Sequence, residues 1–260
     1  METRWPRISI VTPSLNQGDF IEATIQSVLS QKYPNLEYLI VDGGSTDSTL
    51  SILNTYDGQL KWVSERDNGQ TDAINKGLRL VTGEILAYLN ADDILLPGSL
   101  YDVANIFNKH PETQWLTGRC KIIDDNGKGV RGVIYLYKNI LLYSKSFHLL
   151  LVTNYISQPA TFWRNELVDF CGLFDSNLNY VMDYDYWLRI WKVATPFIYH
   201  RNIAGFRIQR NSKTTSGGHL QDYIVEESLV IERHSPSKIW CQLHDLHRVL
   251  MTGMYRFMNR

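Results

Sequence analysis

Residues 85–93 read ILAYLNADD, an apolar run that ends directly in a pair of aspartates. A short apolar run closed by polar residues is typical of a buried strand, and open α/β folds bind ligands at the ends of such strands. Adjacent carboxylates are costly to desolvate unless a cation or a donor-rich ligand lies beside them. Asp92 and Asp93 therefore have two interpretations: caps of a following helix, or ligands of a divalent metal that holds phosphates.

The same strand, loop and helix pattern occurs three times upstream. Apolar runs at residues 8–11, 37–41 and 60–64 each precede a polar loop and then a stretch with helical spacing. Strands that alternate with helices predict an α/β protein with a parallel sheet, in which the loops after the strands share one edge. The loops that begin at Thr12, Asp42, Glu65 and Asn90 are therefore expected to face a common crevice.

The second half of the chain has a different pattern. Residues 115–123 and 132–137 are predicted strands around a turn at residues 125–127, residues 161–163 a strand, and residues 184–191 a helix. Residues 141–152 fit a helix or a strand equally well. Residues 237–260 form a basic amphipathic pattern, which predicts a helix that either packs on the domain or lies on a membrane surface.

Composition excludes several classes of protein. A net charge of −1 argues against a nucleic-acid binder, which needs many cations to neutralise phosphates. Three widely spaced cysteines show neither zinc-ligand spacing nor a disulfide framework, which fits a reducing cytosol. No stretch approaches the length of a membrane span, so we expect a cytoplasmic protein, with the tail as a peripheral contact at the inner face of the membrane.

The absence of glycine-rich phosphate-binding motifs limits the ways in which the chain could bind a phosphate. The chain contains neither GxGxxG nor GxxxxGK[ST], which disfavours a Rossmann dehydrogenase or a P-loop nucleotidase. Carboxylates nevertheless follow three of the predicted strands. Phosphate binding through a metal ion is the remaining interpretation.

Four segments, taken in order, resemble the inverting glycosyltransferases of family 2, which have the GT-A fold: TPSLNQG, VDGGSTDST, ERDNGQTDAINKG and LNADD. The resemblance implies a Rossmann-like, mostly parallel central sheet flanked by helices. It also implies a nucleotide-sugar (donor) half at residues 1–106, an acceptor and catalytic-base half at residues 107–235, and a helical tail at residues 236–260.

The resemblance also implies donor-binding residues and a metal. Asp42 would contact the base, and Asp92 would bind Mg²⁺ or Mn²⁺, with Asp93 and His219 as further candidate ligands. Asn90 departs from the acidic form of the metal motif. The full set of implied donor-site residues is Thr12, Pro13, Ser14, Asn16, Asp42, Gly43, Ser45, Asp67, Asp72, Asn75, Asn90, Ala91, Asp92 and Asp93.

Two later segments, QPATFWRNELVDFCGLFD and MDYDYWLRI, resemble the acceptor strand and the catalytic-base segment of the family. Asp183 aligns with the base, Asp185 is a nearby competitor, and Met182 stands where the family usually has Glu. Without the resemblance, the two aspartates simply begin a helix. The acceptor side would include Gln158 and Trp187. The segment QRNSKTTSGGH resembles a lid over the diphosphate, with Arg210, Lys213 and His219, or is a solvated surface loop.

These expectations describe a metal-dependent inverting glycosyltransferase that acts in polysaccharide or cell-surface glycan biosynthesis. Its donor would be a nucleoside diphosphate sugar, with UDP or dTDP expected, and its acceptor a glycan or a lipid-linked glycan. A metal-dependent phosphohydrolase is one alternative, because it also places carboxylates at strand ends. A catalytically silent nucleotide-sugar-binding module is another, suggested by Met182 and Asn90.

Overall fold

A computed structural model of the chain describes residues 4–209 and 220–258. The strands in these ranges are β1 Ile8–Ser14, β2 Leu36–Asp42, β3 Lys61–Ser64, β4 Ile85–Tyr88, β5 Ile94–Leu95, β6 Trp115–Ile123, β7 Thr161–Arg164 and β8 Phe197–Arg207. The helices are α1 Ile21–Leu29, α2 Thr49–Thr55, α3 Gln70–Leu80, α4 Ser99–Lys109, α5 Gly132–Ser144, α6 Phe147–Val152, α7 Glu166–Cys171, α8 Met182–Val193, α9 Leu220–His234 and α10 Lys238–Met258.

The first four strands form the parallel part of the sheet. β1 pairs in parallel with both β2 and β4, and β2 pairs in parallel with β3. The register sets Ser14 opposite Asp42 and Asp42 opposite Ser64, so the carboxyl ends of these strands meet at one edge. The predicted α/β class with a mostly parallel sheet is therefore confirmed for this part of the chain.

Both faces of this sheet are covered, which explains the continuous apolar runs. Ile8 and Ile10 of β1 pack with one buried cluster, whereas Val11 packs with the cluster on the opposite face. Side chains of a strand point alternately to its two faces, so a strand buried on both sides is apolar at nearly every position. The loops at the strand ends are therefore the place where polar side chains collect.

The second half extends the same sheet rather than forming another. β7 lies between β4 and β6 and is antiparallel to both, and the complete order is β3-β2-β1-β4-β7-β6-β8-β5. β8 runs parallel to β6 and antiparallel to β5. This arrangement brings residue Arg207, at the end of β8, beside the Asp92–Asp93 turn, although the two are far apart in the sequence.

One predicted element is wrong. Residues 132–137 were expected to form a strand, but they begin the helix α5, which continues to Ser144. The apolar pattern does not stop after six residues: Ile134, Asn139 and Leu142 are buried at helical spacing, and tertiary packing overrides the β-branched start of the segment. Residues 141–152 fitted either a helix or a strand in the sequence. In the structure they contribute to the end of α5 and to α6, which are both helices.

The C-terminal segment forms the predicted helix, α10. Its inner side packs on the domain: Trp240 stacks on His148 of α6, and the buried His244 lies 3.2 Å from the Glu227 carboxylate of α9. No helix among the described residues is both long and apolar enough to cross a membrane.

Candidate functional site

A cavity of about 540 Å³ opens at the carboxyl edge of the sheet, between the loops after β1, β3 and β4 and the helices α5 and α8. The structure brings together eight of the predicted site residues in its wall: Pro13, Ser14, Asp67, Asn90, Ala91, Asp92, Gln158 and Asp183. Three of the four loops expected to share a crevice therefore do so. The loop that begins at Asp42 stands behind this wall.

Asp42 organises the loop structure instead of facing the cavity. Its carboxylate is fully buried and accepts hydrogen bonds from the backbone N–H groups of Gly44 and Ser45 at 3.0 and 2.9 Å. The hydroxyls of Ser45 and Ser64 also donate to it, at 2.5 and 2.7 Å. These bonds give Asp42 a structural role in the loop, and its contact with the nucleotide base stays a prediction.

Other predicted donor-site residues join the loops to one another. The Asn16 backbone N–H donates to Ser45 Oγ at 2.7 Å, and the Asn16 side-chain oxygen accepts from the Thr46 N–H at 2.8 Å. The Thr12 hydroxyl is buried 3.1 Å from the Tyr38 hydroxyl. These contacts fix the loop after β1 against the loop after β2, which holds Pro13 and Ser14 in the cavity wall.

The loop after β3 places Asp67 at the cavity, and two glycines make this possible. A Cβ on Gly43 would lie 2.7 Å from an Asp67 carboxylate oxygen, so a larger residue there would require the Asp67 side chain to shift. Gly69, at φ 106°, begins α3 and donates its N–H to Asp67 at 2.8 Å. The backbone N–H of Gly69 therefore orients the Asp67 carboxylate.

Asp72 and Asn75, also predicted to contact the donor, lie outside the cavity wall. Asp72 accepts the Asn68 N–H at 3.0 Å and lies 3.5 Å from the Lys76 ammonium. Asn75 is buried and pairs with the backbone N–H and C=O of Phe174, at 3.0 and 2.9 Å. Asp72 therefore stabilises the start of α3, and Asn75 joins α3 to the segment before α8, while their contacts with the donor stay predictions.

The two aspartates that follow β4, Asp92 and Asp93, lie in different environments. Asp92 lines the cavity, is half-buried, and accepts a hydrogen bond from Gln209 Nε2 at 2.6 Å. Asp93 is fully buried away from the cavity and accepts the Arg207 backbone N–H at 2.8 Å. Burial raises the pKa of both carboxyls, most strongly that of Asp93, where the charge of Asp92 adds to the effect.

Arg207 holds this turn in place. Its guanidinium donates to the backbone oxygen of Asp92 at 2.8 Å and to the backbone oxygens of Asp124 and Asp125 at 2.8 Å. Together with the N–H contact to Asp93, these bonds join β8, the turn after β6 and the turn after β4. The Asp92 side chain is left to point into the cavity.

A row of amides crosses the cavity floor beside Asp92. Gln70 Nε2 donates to Asn90 Oδ1 at 2.7 Å, and Asn90 Nδ2 lies 3.3 Å from both Gln158 Oε1 and an Asp93 oxygen. Gln158 in turn donates to the backbone oxygen of Tyr88. An aspartate at position 90 would put a third negative charge beside Asp92 and Asp93, whereas the amide both donates and accepts. This explains how the departure at Asn90 fits the site.

Asp183 has the environment of a base that works near neutral pH. It lies in the cavity wall at the start of α8, and burial raises its pKa to about 6, while the Tyr184 N–H, the Lys138 ammonium and the Asn154 side chain act in the opposite direction. A general base is most effective when its pKa lies close to the working pH.

Asp185, the competing candidate, belongs to a buried ion cluster. Its carboxylate contacts Arg189 Nε at 2.7 Å, His234 Nε2 at 2.8 Å and Arg233 Nη1 at 3.1 Å. Although burial alone would raise its pKa, the bond from His234 and the charge of Arg189 hold that pKa below the usual range. A carboxylate that is fully paired and absent from the cavity wall cannot take a proton from a ligand there.

Trp187 is a core residue in this structure, and its predicted place on the acceptor side stays a prediction. It is fully buried, stacks on Trp115 at a centroid distance of 6.1 Å, and meets the edge of Trp163 at 5.9 Å. Trp187 lies one helical turn after Asp183, so this packing fixes α8 and with it the position of Asp183. The predicted lid residues Arg210, Lys213 and His219 lie outside the described part of the chain.

Sequence reasoning missed several polar residues in the cavity wall, among them Lys138, Asn139 and Asn154. Burial lowers the pKa of the Lys138 ammonium, whereas the charge of Asp183 acts against that change. A signal was present: Lys138 is the single charged residue within the apolar stretch 133–144, VIYLYKNILLYS. The incorrect strand prediction concealed it, since a strand would have given no reason to group Lys138 with the residues of α8.

Lys138 yields a prediction about pH dependence. An ammonium favours the ionised form of a nearby carboxyl, so Lys138→Met removes a group that lowers the pKa of Asp183. We expect the acidic limb of the pH–rate profile, set near pH 6 by Asp183, to move upward by on the order of one pH unit. Initial rates between pH 5 and 9 measure this. Lys138→Arg should keep the original profile, as should Lys109→Met at an exposed site; an unchanged profile in Lys138→Met would contradict the coupling.

The donor atoms at the cavity fit a hard divalent cation. Mg²⁺ and Mn²⁺ take oxygen ligands, and Mg²⁺ is usually held by one or two carboxylates together with substrate phosphates. Asp92 supplies such a carboxylate, with amide side chains beside it. No group of three or more acidic, histidine or cysteine side chains within residues 4–209 and 220–258 could hold a metal by itself.

Comparisons with known proteins agree with this arrangement. The family model described as Glycosyl transferase family 2 matches residues 9–168. An uncharacterized glycosyltransferase of Rickettsia typhi is 26% identical over 230 residues, covering 84% of this chain and 69% of that protein. A Bacillus subtilis glycosyltransferase whose name provisionally assigns it to teichuronic acid biosynthesis is 43% identical over 96 residues, which are 35% of this chain and 38% of that protein.

Solved structures show the fold. S. aureus TarS 1–349 in complex with UDP-GlcNAc superimposes with a TM-score of 0.68 at 20% identity, covering 92% of this chain and 70% of that one. The mannosyltransferase PcManGT from Pyrobaculum calidifontis, in complex with GDP-Man and Mn²⁺, gives a TM-score of 0.69 at 19% identity, covering 95% and 70%. The GT-A architecture that the sequence resemblance implied is confirmed.

Proposed function

This chain belongs to glycosyl transferase family 2 and is a glycosyltransferase, and from that premise we propose a metal-dependent inverting enzyme. Its donor is a nucleoside diphosphate sugar, with UDP or dTDP as the nucleotide. Its acceptor is a glycan or a lipid-linked glycan in the synthesis of a cell-surface polysaccharide. Residues 1–106 provide most of the donor site, and residues 107–235 the acceptor side and the base.

One observation carries this proposal: of the carboxylates that line a single cavity, Asp92 and Asp183 stand in different environments. Asp92 stands beside amides at the end of β4, in the half of the sheet built from parallel strands. Asp183 stands at the start of α8 beside Lys138, and its pKa is raised to about 6 by burial. Paired acids in unlike environments are suited to different tasks in one reaction.

The chemistry assigned to Asp183 is proton transfer. In an inverting transfer, an acceptor hydroxyl attacks the anomeric carbon from the side opposite the leaving nucleoside diphosphate. The Asp183 carboxylate takes the hydroxyl proton as the new glycosidic bond forms and the bond to the diphosphate breaks. The aromatic packing of α8 keeps this carboxylate in a fixed direction, which is what a general base requires.

The chemistry assigned to Asp92 is the retention of the diphosphate. Asp92, with the side chains of Asn90 and Gln209 beside it, would hold Mg²⁺ or Mn²⁺ against the donor. A divalent cation in this place neutralises charge that develops on the leaving diphosphate. Ser14, Asp67 and Gln70 complete the donor wall with polar groups whose positions are fixed by the loop contacts. The complexes of TarS with UDP-GlcNAc and of PcManGT with GDP-Man and Mn²⁺ support a donor of this class.

A ligand screen followed by product analysis tests the proposed function. At a concentration 100 times the Kd, a nucleotide sugar with Mn²⁺ should raise the Tm by about 5–10 °C, because binding to the native state stabilises it by about 2.7 kcal/mol. A chelator should remove most of this shift. UDP and dTDP sugars should act more strongly than GDP sugars.

The same assay separates the alternatives. A transferase should release the nucleoside diphosphate much faster when a glycan acceptor is present. A phosphohydrolase would release sugar or phosphate at the same rate without an acceptor. A silent binding module would show the full thermal shift and no turnover across a panel of polysaccharide and lipid-linked acceptors. Either of the last two results would overturn the proposal.

A further inference from the structure

Helices α5 and α10 turn apolar side chains outward. Nine large apolar residues on these helices have between 40% and 67% of their surface exposed. We call this set the α5–α10 face: Val133, Leu136, Ile140 and Tyr143 of α5, and Ile239, Leu243, Leu246, Val249 and Leu250 of α10. Monomeric soluble proteins rarely expose a contiguous apolar patch larger than about 600 Å², and larger patches mark interaction sites.

The two helices present these residues as one surface. The Tyr137 hydroxyl of α5 is hydrogen-bonded to His247 Nε2 of α10 at 2.6 Å, and the two rings stack at 6.1 Å. At the other end, His148 of α6 stacks on Trp240 at 4.7 Å. On each helix, the exposed apolar residues recur at spacings of three and four, which keeps them on one side. The inter-helix contacts join the two stripes.

Cations lie at the border of this face. Lys145, directly after α5, and Lys238, at the start of α10, are both exposed. On the face itself, the Arg119 guanidinium lies 4.9 Å from the centre of the Tyr143 ring. In α10 the single acidic residue, Asp245, is paired with Arg248 at 2.5 Å. An apolar surface with exposed cations at its border complements a layer that is apolar inside and anionic at its surface.

The face is also next to the cavity. The opposite side of α5 carries Ile134, Tyr135, Lys138, Asn139 and Leu142, all of which line the cavity wall. A molecule that contacts the outer side of α5 therefore lies one helix diameter from the cavity. This position suits a protein whose substrate is presented at a surface.

We propose that the α5–α10 face is a peripheral docking surface for a bilayer of anionic phospholipids. Its apolar stripes enter the boundary between headgroups and acyl chains, and its cations contact the lipid phosphates. A second copy of this chain is a poorer occupant, because a symmetric contact through the face would set two positively charged borders against each other. The inference does not depend on the transferase reaction, since vesicle binding is measured without donor or acceptor.

Vesicle co-sedimentation of the full chain tests the proposal. We expect binding to vesicles of phosphatidylcholine with phosphatidylglycerol, little binding to phosphatidylcholine alone, and weaker binding as salt is raised. The variant Leu246→Gln/Leu250→Gln on α10 and the variant Leu136→Gln/Ile140→Gln on α5 should each reduce the partition coefficient by about tenfold or more. These side chains are exposed, so the substitutions should leave the circular dichroism spectrum unchanged.

A control variant changes two apolar side chains that are equally or more exposed but lie outside the α5–α10 face. Leu80 is 59% exposed and Phe170 is 75% exposed, and neither belongs to the face. Leu80→Gln/Phe170→Gln should bind vesicles like the unmodified chain. Equal loss in this control, or equal binding to both kinds of vesicle, would overturn the proposal. A dimer that the α10 variant converts to monomer, without any vesicle binding, would overturn it in favour of a second copy as the occupant.

Discussion

Asp183→Asn is expected to slow glycosyl transfer by about 10²- to 10⁴-fold, the usual contribution of a positioned general base. The amide has nearly the same shape as the carboxylate but cannot take a proton from an acceptor hydroxyl. The loss should appear in kcat, while the Tm shift produced by a nucleotide sugar with Mn²⁺ stays unchanged. A radiolabelled or chromatographic transfer assay beside the thermal-shift assay measures both quantities.

Stability measurements show whether a loss of activity in Asp183→Asn comes from unfolding. Burial raises the pKa of Asp183 to about 6, so the folded state binds this proton more tightly than the unfolded state does. The stability that Asp183 contributes is therefore present below the unfolded pKa and lost as the pH rises through 6. At pH 7.5 the ionised carboxylate opposes folding, so Asp183→Asn should not lower the Tm. Full transfer activity in a folded Asp183→Asn protein would show that the base assignment is wrong.

Asp92→Ala is expected to reduce transfer by about 10²- to 10³-fold, because a metal that stabilises leaving-group charge is worth several kcal/mol. The variant should also lose the part of the donor-dependent Tm shift that requires Mn²⁺, and its rate should need a much higher Mn²⁺ concentration. Initial rates and thermal shifts over a Mn²⁺ titration measure both effects. Removing a carboxylate whose pKa burial raises should not destabilise the fold.

Asp72→Ala provides the comparison for Asp92→Ala. Asp92 is in the turn after β4 and Asp72 in the first turn of α3, but Asp72 contacts Asn68 and Lys76 and does not line the cavity. Its removal should change the Mn²⁺ dependence little. If both variants lost metal dependence equally, proximity to the sheet edge would matter more than the direction of the side chain, and the assignment of Asp92 would fail.

Several parts of the fold could be predicted because they follow from local patterns. The runs 8–11, 37–41 and 85–89 are mostly apolar, which a strand buried on both faces of a parallel sheet favours. The polar residues after them then necessarily collect at one edge. Residues 132–137 were wrongly predicted as a strand because a short apolar stretch with β-branched residues fits both a strand and a buried helix, and only its packing against the cavity distinguishes them.

The site was predictable in composition but not in arrangement. Asp42 and Asp92 both follow apolar strands, yet four hydrogen bonds from Ser45, Ser64 and backbone groups engage Asp42, whereas Asp92 faces the cavity. Asp183 and Asp185 lie on one helix two residues apart, so they point in different directions: one into the cavity and the other into the cluster with Arg189 and His234.

The sequence alone determined the alternation of strands and helices, the edge at which ligands bind, and the carboxylates available there, since each depends on residues close together in the chain. Only the tertiary structure decided which carboxylates face the cavity and which are bonded to other residues of the protein. The partners that make this choice come from far along the chain: Arg207 positions the turn that contains Asp92, Lys138 lies near Asp183, and His234 engages Asp185. Local sequence carries no information about such contacts, because they exist only once the sheet has brought distant segments together.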